Sequence, residues 1–109
     1  VFNGKVMVQP DAQKINAFQS NQNILLSDAA TINSKPELEI YADDVLCSHG
    51  STTGQLDDEA LFYLRTRGVS EISAKKMLIR AFVFDVLDEI KLDSFRIHIE
   101  ELVDEKFKV

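Results

Sequence analysis

A chain of the β-plus-α class, strand-rich at first and helical afterwards, is what the sequence predicts, and three observations carry the expectation. Residues 1 to about 50 contain apolar runs of three or four residues separated by Asn, Asp, Ser and Pro, too short for helices and of strand length. From Asp57 the apolar spacing turns helical, with acidic residues at the start of the segment and basic ones at its end, as the helix dipole favours. Between these halves, residues 41 to 68 hold the only cysteine and the only Cys/His cluster, and this stretch joins one half to the other.

Length and composition set the frame. A chain of 109 residues makes one modest domain, burying roughly two thirds of the surface its unfolded form exposes. With 45% hydrophobic and 28% charged residues, the composition is that of an ordinary globular protein. A net charge of −6, with no basic cluster, argues against a nucleic-acid partner, because phosphate neutralisation needs a basic face. The most apolar run, residues 77 to 87, is interrupted by Arg80 and Asp85; a bilayer span needs about 20 apolar residues, so no membrane association is expected. A lone cysteine forms no internal disulfide and suits a reducing compartment, hence a cytoplasmic protein. The sequence opens on Val1-Phe2 inside what reads as a strand, which suggests a piece of something longer.

The strand candidates of the first half are residues 5–8, 15–18, 24–26, 38–41 and 45–47. Turn chemistry separates them at Gln9-Pro10-Asp11, at residues 20–23, at Ser27-Asp28 and at residues 33–36. No Asn-Gly or Asp-Gly turn links neighbouring runs as a two-residue hairpin does. Short strands with Asn- and Ser-rich corners stack as coils of a parallel β-helix, and fifty residues make two or three coils, although no exact repeat is readable.

In the second half, Asp57 is the expected N-cap of a first helix, with Asp58 and Glu59 in its first turn, Arg65 and Arg67 near its end, and Gly68 at the left-handed C′ position with Val69 closing back on Leu64. Ser70 caps a second helix running to about Leu92, in which Ile72, Ile79, Val83, Val86 and Ile90 form one stripe, widened by Leu78, Phe82 and Phe84. A helix apolar over more than one face is either sandwiched or offers a surface to a partner. Asp93 or Ser94 caps a third helix, with Phe95, Ile99, Leu102, Val103 and Phe107 along one side. Phe95, Ile97 and Ile99 also alternate as a strand does, and the helical reading rests on residues 100 to 108.

Candidate chemistry is concentrated at Cys47 and His49, which precede a Gly-Ser-Thr-Thr-Gly segment read as a turn. In an extended backbone they point to one face roughly 7 Å apart, and thiolate with imidazole suits iron or zinc. Two ligands fall short of the usual four, so any site is partial and another chain must complete it. The plain alternative makes Cys47 a small buried hydrophobe and His49 a turn residue capping the backbone ahead of Gly50. A third reading is a small cysteine-dependent enzyme with Cys47 as nucleophile and His49 as base; it requires a depressed thiol pKa and hence rapid alkylation of Cys47 at pH 6. Residues two apart on a strand project in parallel, which disfavours it. His98 reads as solvated, and the Asp57, Asp58 and Glu59 trio as capping rather than catalysis. The small residues 50–54 lack the following lysine of a phosphate loop.

Three consecutive blocks, KPELEIYADDV, CSHGSTTGQLD and EALFYLRTRGVS, closely resemble the C-terminal part of the SufB/SufD family of iron–sulfur cluster assembly proteins, and Cys47-Ser48-His49-Gly50 resembles its SufD-like branch. The resemblance covers about Phe2 to Ile90. It implies the C-terminal coils of a right-handed parallel β-helix over residues 1–55, followed by a small domain of about three helices over 56–109 that docks SufC. It further implies a non-catalytic scaffold in a cytoplasmic assembly of SufB, SufC and SufD, in which the β-helices of SufB and SufD pair and the helical domains each bind a SufC ATPase. The family's interface histidine maps onto His49 and its neighbouring cysteine onto Cys47. No tightly bound cofactor is implied; iron or a nascent cluster at the seam with SufB is. Leu61, Phe62, Leu64, Met77, Phe82 and Phe84 exceed what one small core needs, and part of this set is expected to meet SufC. A complete member carries many more coils, so the sequence reads as a C-terminal fragment whose open coil end invites pairing with a second copy.

Overall fold

Strands far apart in sequence pair in parallel, and this organises the first half. The computed structural model describes residues 1–107, with elements β1 (Phe2–Val8), β2 (Asn16–Leu25), β3 (Ser34–Ile40), β4 (Leu46–Gln55), α1 (Asp58–Thr66), α2 (Glu71–Leu87) and α3 (Asp93–Lys106). Two compact units are distinguished, Val1–Gln55 and a second beginning at Leu56.

In the first unit β1 pairs with β3 and β2 with β4, both parallel. Phe2 lies beside Ser34 and Asn16 beside Leu46, so equivalent positions recur at intervals of about thirty residues. The intervening corners are also stacked: the Lys14 N–H donates to the Asp44 carbonyl at 2.6 Å, and the Asp44 N–H donates to Gln13 Oε1 at 2.9 Å. Lys14 is left-handed, at φ 59°, a conformation costing a non-glycine residue about 1 kcal/mol that these corner bonds offset. Val8 and Ala42 are the buried apolar residues of this unit.

Two sequence expectations are corrected here. The runs at 15–18 and 24–26, expected as separate strands, are joined in one ten-residue strand, β2 (Asn16–Leu25), that runs through Ser20-Asn21-Gln22-Asn23. The Gly50–Gly54 segment is likewise strand, not turn. The reason is a set of polar side chains on neighbouring strands that satisfy one another. Ser34 Oγ donates to Asn21 Oδ1 at 2.7 Å, Ser51 Oγ donates to Ser34 Oγ at 3.1 Å, and Asn23 Nδ2 donates to the Thr52 carbonyl at 3.0 Å. Asn and Ser therefore do inside the ladder what they usually do at corners.

The second unit begins with the expected cap: Asp57 Oδ1 accepts from the N–H groups of Glu59 and Ala60 at 2.9 and 3.1 Å. Helix α1 closes in a complete Schellman motif, Gly68 N–H to Arg65 carbonyl at 3.0 Å and Val69 N–H to Leu64 carbonyl at 3.2 Å, with Gly68 at φ 88°. Replacing Gly68 with alanine is expected to cost about 1 kcal/mol, purely from the left-handed backbone, since nothing lies within 4 Å of an added Cβ. Asp57→Ala is expected to cost about 1 kcal/mol through its two orphaned donors. Denaturant midpoints of the full-length protein at unchanged slope check both.

Ser70 caps α2 as expected, accepting from the Ser73 N–H at 3.2 Å. Lys75, hydrogen-bonded at 2.7 Å, and Arg65 hold the Glu71 carboxyl below the usual carboxylate range. The support this gives the first turn is present above the unfolded carboxylate pKa and is lost as pH falls through the lowered folded value. The helix ends at Leu87, short of Leu92. Its last turn has no basic residue, and Asp85, Asp88 and Glu89 oppose the dipole there. The expected core stripe is also redrawn: Ile72 and Val86 are exposed, at 57% and 63%, while Ala74 and Leu87 are buried. Ala74 and Leu87 lie on different faces of the helix; α2 packs against α1 and α3, and Leu87 with Val83 faces Val103 of α3. Packing on two sides is what a helix apolar over more than one face is expected to do; what changes is which residues are buried. Helix α3 is helical throughout residues 93–106, with Leu92 at its N-cap and no side-chain cap bond; Asp93 instead pairs with Arg96 at 3.1 Å.

Candidate functional site

Strand β4 positions both candidate residues. Its register with β2 is unbroken from Leu46 to Gln55, placing Ala17 beside Cys47 and Gln19 beside His49. Alternation along an unbulged strand puts Cys47, His49 and Ser51 on one face. Because Ser51 bonds Ser34, this is the face turned toward β3. Cys47 is half-buried and His49 exposed. Cys47 is therefore not the fully buried hydrophobe of the plain reading, and His49 lies in a strand rather than a turn.

Two ligands are what this face supplies. Among the described residues no three His, Cys, Asp or Glu side chains converge to hold a metal. Two of the nearby carboxylates are committed elsewhere, Glu39 to Lys5 at 2.6 Å and Glu37 to Lys35 at 2.9 Å. That pairing holds the Glu37 carboxyl below, and the Lys5 ammonium above, their usual ranges. Cys47 and His49 share no hydrogen bond among the described residues, so the geometry lacks the nucleophile–base contact of a thiol enzyme. No sequence motif singles out Gln19. It stands in register with His49, and its Oε1 is buried without a hydrogen-bond partner; its only sequence signal is a position thirty residues before His49.

On the helical unit, Phe62, Met77 and Phe84 of the docking set are exposed, at 70%, 50% and 46%, whereas Leu61, Leu64 and Phe82 are half-buried. Phe62 and Tyr63 border an open groove of about 950 Å³ along α1, with Leu78 of α2 on its wall. Arg67 stacks over the Tyr63 ring at 5.0 Å and Arg65 pairs with Glu71 at 3.5 Å. His98 is exposed on α3, and Asp57 is engaged as a cap. No helix among the described residues is long and apolar enough to cross a membrane.

Residues 1–82 match the family profile described as SUF system FeS cluster assembly, SufBD core domain. The chain belongs to the SufBD family. Among its relatives, an iron–sulfur cluster assembly SufBD family protein of Synechocystis is 48% identical over 103 residues, covering 94% of this chain and 23% of the relative. The iron–sulfur cluster assembly protein SufD of Escherichia coli is 45% identical over 96 residues, covering 88% of this chain and 23% of that protein. SufD of Bacillus subtilis is 30% identical over 108 residues, covering 99% and 25%. The chain thus spans about a quarter of the length of the curated relatives it matches. Membership of the SufBD family, with relatives named SufD, agrees with the resemblance drawn from the three sequence blocks.

Proposed function

We propose that this chain is a segment of a SufD-like, non-catalytic scaffold subunit that pairs with SufB and docks the SufC ATPase during cytoplasmic iron–sulfur cluster assembly. The observation that carries the reading is the match to the SufBD core domain over residues 1–82, together with relatives named SufD. The two parallel ladders, recurring at about thirty residues, are read as consecutive coils of a right-handed parallel β-helix. The second unit is read as the SufC-docking domain.

The site chemistry supports a shared rather than a self-contained centre. Cys47 and His49 offer one thiolate and one imidazole from a single strand face, and iron or a nascent cluster needs about four ligands. SufB supplies the remainder in this reading, and the iron or cluster is cargo rather than a resident cofactor. The apolar residues left exposed on the helices, Phe62 and Phe84 among them, supply the surface for SufC. The test is assembly: the full-length protein, mixed with purified SufB and SufC, is expected to elute as one complex by size-exclusion chromatography. Separate elution of all three at micromolar concentration overturns the reading, as does a stable homodimer of the full-length protein that excludes SufB.

A further inference from the structure

We infer that Gln19 is a positioning residue for His49, its side-chain carbonyl oxygen accepting the imidazole N–H and holding the ring in one tautomer and orientation. The inference rests on the interface role proposed for His49 and adds a residue to it. Four observations meet at this point. Gln19 and His49 are direct partners in the parallel ladder, so their side chains leave the same face of strands about 4.8 Å apart. Gln19 Oε1 is buried with no hydrogen-bond partner, a state that favours any donor within reach. His49 is exposed and, among the described residues, its ring makes no hydrogen bond, so the bond to Gln19 Oε1, not made in this rotamer, requires a rotation of the His49 side chain and breaks no existing contact. Finally, the Gln19 amide is held from behind: its nitrogen lies so close to Gly4 of β1 that a Cβ there would overlap it, with the Phe2 ring also within 2.8 Å of that position.

Two polar neighbours on this face are already engaged, and the free Cys47 thiol stands beside Ala17 rather than Gln19 and is a weak donor. Asn21 Oδ1 accepts from Ser34 and Asn23, and Ser51 donates to Ser34. That leaves the His49 ring as the ladder neighbour of Gln19 with a donor to give. A fixed N–H on one ring nitrogen leaves the other as a lone pair aimed at whatever SufB and the cargo present, as acceptors hydrogen-bonded behind ligating histidines do.

The test uses the full-length protein with ring-15N-labelled histidine, the His49 signals being assigned by their loss in His49→Ala. Wild type is expected to show one dominant neutral tautomer at His49. Gln19→Leu is expected to replace it with the mixture of a free imidazole, Gln19→Glu to retain a single tautomer, and Gly4→Ala to shift the same ring signals by displacing the Gln19 amide without touching either residue. Cluster assembly with SufB and SufC should fall roughly three- to tenfold in Gln19→Leu, the worth of one hydrogen bond, and recover in Gln19→Glu. Unchanged His49 ring signals in both folded Gln19→Leu and Gly4→Ala overturn the inference and assign the Gln19 oxygen to a donor elsewhere. Ring signals that move while assembly stays at wild-type rate in both Gln19→Leu and His49→Ala uphold the positioning and overturn the interface role instead.

Discussion

Full-length protein carrying His49→Ala is expected to assemble clusters with SufB and SufC at least tenfold more slowly than wild type, with its fold and complex formation intact. The magnitude follows from the half-site geometry. In the proposed shared centre Cys47 and His49 are this chain's two ligands, no third His, Cys, Asp or Glu converges with them among the described residues, and removing even the outer partners of a metal ligand typically costs roughly 10- to 100-fold. The fold should be indifferent, because His49 is exposed and exposed substitutions without special roles stay within about 0.5 kcal/mol. Cys47→Ser gives the companion result. If the thiolate is the second ligand, assembly falls in parallel with His49→Ala and the double variant is no worse than either single, since the two act as one unit. If Cys47 only packs, Cys47→Ser costs stability and leaves the assembly rate alone. Assembly kinetics followed by cluster absorbance, with complex formation checked separately, decides between these, and a wild-type rate for His49→Ala removes the role given to that side chain.

The helical caps and the change of period at Asp57 were legible in the sequence because their causes are local. Asp57 bonds donors two and three residues on, Ser70 a donor three on, and Gly68 needs only its own left-handed φ. The strand ends were not, because what keeps Asn21, Asn23 and Ser51 extended is a partner about thirty residues or more away or on a different strand. A polar residue whose satisfaction is non-local reads as a turn in a local window. Gln19 is illegible for the same reason: it is an ordinary strand glutamine until the register sets it beside His49. The stripe assigned to α2 failed differently. That α2 is apolar over more than one face was legible, but its two buried residues, Ala74 and Leu87, lie in neither the stripe nor its widening, because which side of such a helix is covered is set by where α1 and α3 pack rather than by its own period.

The helical surface yields the second large effect: Phe62→Asp is expected to weaken SufC binding by about 30-fold or more without altering the stability of the protein. Phe62 is the most exposed residue of the docking set, at 70%, and it borders the groove along α1 beside Tyr63. An aromatic of this kind, once covered by a partner, is the type of residue whose truncation costs about 2 kcal/mol or more, and about 1.4 kcal/mol is tenfold in affinity. A carboxylate in its place adds the desolvation of an unpaired charge. Phe84→Asp tests whether the surface extends to the far end of α2, where Phe84 is half exposed and flanks the Leu87 contact with Val103. Phe82 is the internal control. It is half-buried, so Phe82→Ala should lower the unfolding midpoint through lost packing while any SufC binding that survives keeps its wild-type affinity. Titration calorimetry against SufC, paired with thermal melts, separates the two behaviours. Wild-type affinity for both Phe62→Asp and Phe84→Asp would move the docking surface off α1 and α2, leaving Phe95 and Leu102, each about half exposed and seven positions apart on one face of α3, as the apolar face that must then account for it.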